Sequence, residues 1–162
     1  MADNFGLKIG IEGEKEFKKA LSEINQSFKV LGSEMKLVSS QFEANDKSIQ
    51  ALSARNTVLN KEIDAQRQKV ETLRAALQNA SESFGENDRR TQNWQIQLNN
   101  AEAALNGMER ELSANERAIE SLSQQETEAA DATERLSQEI SRQEEELAGM
   151  KRAYSNAVLE YG

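Results

Sequence analysis

The 162-residue chain contains no cysteine, no histidine and no proline, and only 5% of its residues are aromatic. Without cysteine and histidine it lacks thiol nucleophiles, imidazole bases and the usual ligands of structural zinc. Without proline it lacks the residue that breaks a helix interior at a cost of about 3 kcal/mol. No apolar run approaches the roughly 20 residues of a membrane span, and the first residues lack the pattern of a signal peptide. These absences disfavour an enzyme, a zinc module and a membrane protein, and they suit long helices.

What the chain does contain is a heptad pattern that keeps its register from Phe17 to Tyr161. Position a falls on every multiple of seven, and position d falls three residues later. Apart from alanine, this span holds 35 hydrophobic residues, of which 29 occupy a or d, whereas random placement would put about ten there. Such a stripe predicts helices that pack along their length on other helices. We therefore predict an all-α, coiled-coil fold with no catalytic, cofactor or metal site, and a function in assembly.

The first residues follow a different pattern, with apolar and polar side chains alternating between Phe5 and Glu12. This period predicts a short strand over residues 1–13. One strand cannot satisfy its own backbone groups, so it would need a sheet in another chain or would remain a frayed terminus. Beyond it we expect a first coiled-coil arm over residues 14–84 and a second over residues 89–162.

The junction between the arms, at residues 85–88, is where strong helix formers are scarcest. Gly85 is the candidate residue that ends the first arm in a left-handed conformation. Asn87 is the candidate N-cap of the second arm. The alternative is that Gly85 is an interior glycine tolerated at about 1 kcal/mol, in which case the helix continues as one rod.

Polar residues on the heptad seam bear on the choice between a hairpin and a rod. In an antiparallel hairpin centred after Gly85, Asn56 faces Asn115 and Asn45 faces Glu126, so two polar layers match. The unbroken register instead favours a continuous parallel coiled-coil rod. Trp94 occupies a d position beside the junction, where we expect a seam residue and not a ligand platform.

Charges beside the seam favour the hairpin. Folding back brings Arg67 near Glu102, whereas parallel pairing of copies opposes Glu111 and Glu116. Each such pair contributes only about 0.2–1 kcal/mol, so the parallel rod stays the alternative. Residues 85–162 carry 16 acidic and 8 basic side chains, and residues 1–84 carry 12 of each, so the net charge of −8 lies in the second half. We therefore expect no direct nucleic-acid binding by this segment.

Three stretches carry a resemblance that the heptads alone do not explain: LKIGIEGEKEFKKAL, FKVLGSEMKLVSSQFEANDKSIQALSARN and FGENDRRTQNWQIQLNNAEAALNGMERELSANE. Over nearly the whole chain, the sequence resembles the N-terminal region of tail tape measure proteins of long-tailed phages and prophages of Gram-positive bacteria. The strand-to-helix opening and the FGEN…NWQ junction are the more specific parts, because heptad packing does not demand them.

The resemblance implies a helical rod in the tail lumen that sets tail length and templates assembly of the tail tube. It also implies that this chain is a fragment of a longer protein, located in the virion tail and in the host cytoplasm during assembly. The implied partners are copies of itself in a coiled-coil dimer or trimer, the tail tube, the tail assembly chaperone and distal tail proteins. No membrane is expected for this segment. The alternative is a cellular coiled-coil scaffold or tether.

Overall fold

Three α-helices account for most of the chain: α1 from Ala2 to Ser40, α2 from Ile49 to Phe84, and α3 from Arg89 to Tyr161. The structure is a computed structural model that describes the backbone of residues 2–161 and the side chains of residues 13–161. The prediction of an all-α fold is confirmed over these residues. The chain divides into a first unit, Met1–Ile119, and a second unit, Glu120–Gly162.

The strand predicted at residues 1–13 is not confirmed, because α1 begins at Ala2. Met1 lies outside the described residues. A helix satisfies its backbone N–H and C=O groups within the segment, whereas a lone strand needs a neighbour. In a single chain without another strand in residues 2–161, helix is therefore the conformation that leaves fewer backbone groups unpaired.

The first arm, expected as one segment over residues 14–84, is divided into α1 and α2 by a loop at residues 41–48. The loop ends at Ser48, which is the N-cap of α2. Its Oγ accepts a hydrogen bond from the Ala51 N–H at 3.2 Å. Asp46 Oδ1 accepts from the Ser48 N–H at 2.8 Å, which is the bond of an Asx turn. Short polar side chains thus replace the helical hydrogen bonds that the backbone gives up here.

Arg55, in the second turn of α2, forms hydrogen bonds to the backbone of this loop. Its Nη1 donates to the Asp46 carbonyl oxygen at 2.7 Å, and its Nη2 donates to the Glu43 carbonyl oxygen at 3.3 Å. A planar guanidinium presents several donors in a fixed geometry, so one side chain satisfies two carbonyls of the loop. The Asp46 pKa is lowered, first by the hydrogen bonds from Ser48 and further by the charge of Arg55.

The turn between α2 and α3 lies at residues 85–88, where the junction was expected. Gly85 has a φ of 90° and a ψ of 158°, so it adopts a positive φ that favours glycine but not the expected left-handed helical conformation. Its N–H donates to the Ser81 carbonyl at 3.0 Å. The expected N-cap Asn87 is wrong by one residue. Asp88 caps α3, because its Oδ1 accepts from the Arg90 N–H at 2.8 Å and its carbonyl accepts from the Gln92 N–H at 3.0 Å.

Arg90 completes the turn. Its Nε donates to Asp88 Oδ1 at 3.0 Å, and its guanidinium lies over the Phe84 ring at 3.4 Å from the ring centroid. The hydrogen bonds from Arg90 lower the pKa of the Asp88 carboxyl. The cation–π contact therefore joins the two helix ends across only four non-helical residues, and the ion pair holds Arg90 in place at the start of α3.

The core of the first unit draws on all three helices. Leu73 of α2 is fully buried and packs among small and large apolar side chains from α1 and α3. Most of these residues occupy a or d, so the heptad face is the buried face. The buried cluster consists of Leu21 from α1, Val70, Leu73, Ala76 and Ala80 from α2, and Trp94, Leu98 and Ala101 from α3.

Candidate assembly interface

The contact between α2 and the part of α3 in the first unit is antiparallel and contains two polar layers. Asn115 Nδ2 donates to Asn56 Oδ1 at 2.8 Å, and Gln66 Nε2 donates to the Ala101 carbonyl at 2.9 Å. Asn56 and Gln66 are only 8% and 4% exposed. Each of these buried amides therefore needs a hydrogen-bond partner, and each has one. The Asn56–Asn115 pair is the one that the hairpin register aligns.

Ion pairs follow one edge of this contact. Arg67 Nη2 lies 3.3 Å from Glu109 Oε1, and Arg74 Nη2 lies 2.9 Å from Glu102 Oε1. The expected pairing of Arg67 with Glu102 is therefore wrong. Arg67 pairs with Glu109, one heptad after Glu102, and Glu102 pairs with Arg74, one heptad after Arg67. All four side chains remain more than a third exposed, so each pair contributes on the order of 0–1 kcal/mol.

The opposite edge brings two acidic side chains together. Glu62 of α2 is half-buried near Glu111 of α3. Burial raises the pKa of the Glu62 carboxyl, and the charge of Glu111 raises it further. The contact is thus attractive along one edge and repulsive at a point on the other, and the apolar seam between the edges determines its stability.

Helix α1 packs antiparallel to α2 in the same unit. Lys61 Nζ lies 3.4 Å from Glu34 Oε2, and Lys69 Nζ donates to Asn25 Oδ1 at 3.3 Å. The Lys69 ammonium also lies 5.9 Å from the centroid of the Phe28 ring. These contacts place a positive edge of α2 against polar and aromatic groups of α1.

Trp94 is 4% exposed and belongs to the core cluster with Leu21 and Leu98. Its indole is therefore part of the seam and is not presented to a ligand. One turn earlier, Thr91 is equally buried, and its hydroxyl has no hydrogen-bond partner among the described residues. A buried hydroxyl without a partner lowers stability. Sequence reasoning did not single out Thr91, although its a position marked it as a seam residue.

The second expected polar layer, Asn45 with Glu126, is not supported at Asn45. That residue lies exposed in the loop at residues 41–48 and is not on a helix face. The asparagine falls at a d position by count, but the helix ends before it, so the heptad register no longer determines where its side chain lies. Glu126 lies on α3 in the second unit and is exposed.

In the second unit, from Leu136 to Tyr161, α3 carries its a and d side chains on the surface. The apolar ones are between 49% and 89% exposed. Two further d positions on this exposed face hold the polar Gln143 and the small Ala157. We call this set the exposed stripe. It consists of Leu136, Ile140, Gln143, Leu147, Met150, Tyr154, Ala157 and Tyr161.

Charged side chains beside the exposed stripe pair along the helix itself. Arg142 forms ion pairs with Glu139 and Glu146, which lie three and four residues away. The hydrogen bond from Arg142 lowers the pKa of the Glu139 carboxyl. Pairs at this spacing give an exposed helix a small stabilisation. They help the second unit to remain helical while its apolar face lies in water.

Within the part of the chain whose side chains are described, no group of three or more acidic, cysteine or histidine side chains could hold a metal ion. None of the described helices is long and apolar enough to cross a membrane. Comparison with protein-family models, curated proteins and solved structures found no match for this chain. The candidate site consists of two surfaces, the antiparallel seam of the first unit and the exposed stripe of the second.

Proposed function

We propose that this chain is a structural component of a phage tail and forms the N-terminal part of a tape measure protein. The observation that carries this proposal is α3, a helix of 73 residues that keeps one heptad register and exposes it over the second unit. A helix converts residue number into distance at about 1.5 Å per residue. Such an element suits a protein that sets tail length and templates assembly of the tail tube.

The first unit has a different part in this proposal. We interpret α2 and the adjoining part of α3 as an antiparallel coiled-coil hairpin, supported by the Asn56–Asn115 and Gln66–Ala101 hydrogen bonds. A hairpin returns on itself, so its residues add less length than the same number in a single helix. The segment that measures length therefore begins after residue 119, and the hairpin serves as a folded head.

The partners follow from the same proposal. Copies of the chain associate through coiled coils, and the tail tube, the tail assembly chaperone and distal tail proteins assemble around them in the tail lumen. The excess of acidic residues after residue 84 supports a place in a channel through which DNA later passes. A negative surface repels phosphates and does not retain the DNA.

Tail length measures this function directly. Duplication of residues 126–146 in the full-length protein adds three heptads in register, and we expect tails about 32 Å longer by electron microscopy. The matched control inserts the same 21 residues after Asn45, in the loop that precedes α2, where no helical length is added. Unchanged tails after the duplication would contradict the proposal.

A cellular coiled-coil scaffold or tether is the second candidate, because the exposed stripe suits any protein that works by helical association. The two candidates differ in their genomic surroundings. A tape measure gene is expected among genes for the tail tube, the tail assembly chaperone and distal tail proteins. A scaffold gene has no reason to lie there.

A further inference from the structure

Helix α1 carries two large apolar side chains outside the heptad seam. Of the 35 hydrophobic residues between Phe17 and Tyr161, alanine aside, 29 lie on the seam, which leaves six. Two of these six are Val30 and Leu37, which both occupy position c and are 52% and 64% exposed. Packing within the first unit does not account for them, because their side chains lie largely in water.

Val30 also lines a shallow groove of about 430 Å³ between α1 and α2. The apolar lining of this groove comes from Val30 and Leu31 of α1 and from Ala65 of α2. Leu37 lies one heptad, or roughly 10 Å, further along the same side of α1. Single apolar side chains are common on protein surfaces, whereas these follow one another along a groove. We call this set the outer strip. It consists of Val30, Leu31, Leu37 and Ala65.

Lysines border the outer strip on α1. Lys29 and Lys36 directly precede Val30 and Leu37 in the chain, and both lysines are exposed. Neighbouring residues of a helix point about 100° apart, and a lysine stem is long, so each ammonium can reach the side of a helix seated on the strip. No acidic residue occupies position b, e or f within residues 15–40. This side of α1 is therefore positive, although the whole chain has a net charge of −8.

The charged side chains across the groove are already paired. Glu34 Oε2 lies 3.4 Å from Lys61 Nζ, and Asp64 Oδ1 lies 3.8 Å from Arg67 Nη1. The excess of positive charge therefore belongs to the α1 border. At the other end, Glu23 occupies the preceding c position and ends the apolar strip.

We propose that the outer strip is a docking site for an acidic amphipathic helix of another protein. Such a helix places apolar side chains one heptad apart on Val30 and Leu37, and its carboxylates lie beside Lys29 and Lys36. The charge of the border selects the partner, because a basic helix is repelled there. This inference goes beyond the proposed function, since the surface suits a scaffold or tether equally well.

A second copy of this chain offers two other occupants, and both fit less well. The outer strip of a second copy brings its own Lys29 and Lys36 against the same lysines, which repel each other. The exposed stripe of a second copy is acidic at its edges, but it runs from Leu136 to Tyr161. A strip of about two helical turns would leave most of that apolar face in water.

A designed peptide tests the docking site on the intact chain. The probe is a fluorescein-labelled helix of three heptads with leucine at a and d and glutamate at e and g, and these glutamates keep it from pairing with itself. Its fluorescence anisotropy should rise on titration with the chain. We expect Val30→Ser with Leu37→Ser to weaken binding at least about tenfold. Ile96→Ser is the matched control, because Ile96 is 56% exposed on a different helix.

The charge of the border gives a second, independent readout. Lys29→Glu with Lys36→Glu should weaken binding of the acidic peptide and should allow binding of a peptide with lysine in place of every glutamate. Lys15→Glu with Lys19→Glu makes the same change in net charge on the same helix and should have a smaller effect on both peptides. Circular dichroism should show unchanged helix content in all of these variants, because every substituted side chain is exposed.

Four results would overturn the inference. The acidic peptide might fail to bind at millimolar concentration, or the unsubstituted chain could bind the basic peptide equally well. Loss of binding with Leu147→Ser and Tyr154→Ser, but not with the outer-strip variant, would assign the peptide to the exposed stripe. A fall in the mass of the chain alone by light scattering, on Val30→Ser with Leu37→Ser, would show that a second copy occupies the strip.

The outcome is separable from that of the proposed function. Tails that lengthen with added heptads, together with no peptide binding, would overturn the docking site and leave the tape measure intact. Peptide binding that depends on the outer strip and its lysines, together with tails of unchanged length, would do the reverse.

Discussion

The first unit buries its heptad face inside one chain, whereas the second unit exposes the same face to water. Both units continue one sequence register, yet Leu73 in the first is fully buried and Leu147 in the second is half exposed. The difference arises at the turns. Asp46 with Ser48 and Gly85 with Asp88 end and restart helices in the first unit, which supplies each seam with a neighbour from the same chain. Residues 120–161 contain no such interruption.

This contrast shows what a heptad stripe does and does not determine. It determines that a helix will pack, but whether the partner comes from the same chain depends on a few capping residues. We therefore expect substitutions on the first seam to affect the folding of a single chain. Substitutions on the exposed stripe should affect association between chains.

The largest difference should come from shortening one leucine in each unit. Leu73→Ala removes a fully buried side chain and should lower the free energy of unfolding by about 2–5 kcal/mol. Leu147→Ala should change it by less than about 0.5 kcal/mol at low concentration, because that side chain is already half in water. Urea unfolding of dilute protein, followed by circular dichroism, measures both. Equal losses from the two substitutions would remove the distinction between the units.

An intermediate effect is expected from the polar layer of the first unit. Asn115→Ala leaves the buried Asn56 amide without its partner and should cost about 1–3 kcal/mol. The double variant Asn56→Leu with Asn115→Leu removes both polar groups and should recover most of that loss. If the double variant is as unstable as the single one, the hydrogen bond does not explain the cost.

The smallest effect concerns the acidic pair on the repulsive edge. The pKa of Glu62 is raised in the folded state, so the ionised carboxylate opposes folding at neutral pH. This effect is lost once the pH falls below the ordinary pKa of a glutamate carboxyl, because Glu62 is then protonated in both states. Glu62→Gln should therefore stabilise the first unit by roughly 0.2–1 kcal/mol at pH 7 and by less near pH 4.

Glu111→Gln is the matched variant, since it removes the other charge of the pair. Unfolding measured at both pH values should show stabilisation of the same sign for either substitution at pH 7. A loss of stability from both would mean that these side chains do not repel each other.

Much of the fold could be predicted from sequence where local chemistry and register agreed. The helical class followed from the a and d positions, and the turn at residues 85–88 followed from Gly85, whose φ is positive. Once that turn is fixed, the hairpin register aligns Asn56 with Asn115. The cap was misplaced by one residue because Asn87 and Asp88 are both good capping types, and only geometry decides between them.

The break at residues 41–48 was missed for a different reason. Phe42 and Ile49 keep the a register through the loop, so the apolar period continued where the hydrogen bonds of the helix did not. Asp46 and Ser48 carried the capping signal, and that signal is local. The pairing of Arg67 was wrong by one heptad, because a repeat every seven residues offers several chemically similar partners.

Hydrogen exchange of the intact chain at a series of protein concentrations tests most directly whether the two units bury their heptads differently. We predict that amide protection at residues 49–119 is independent of concentration, because that seam closes within one chain. Protection at residues 136–161 should rise with concentration, because we propose that copies of the chain associate through coiled coils and this stripe is the exposed heptad face. Protection of residues 136–161 that does not change with concentration, or protection of residues 49–119 that does, would contradict this account.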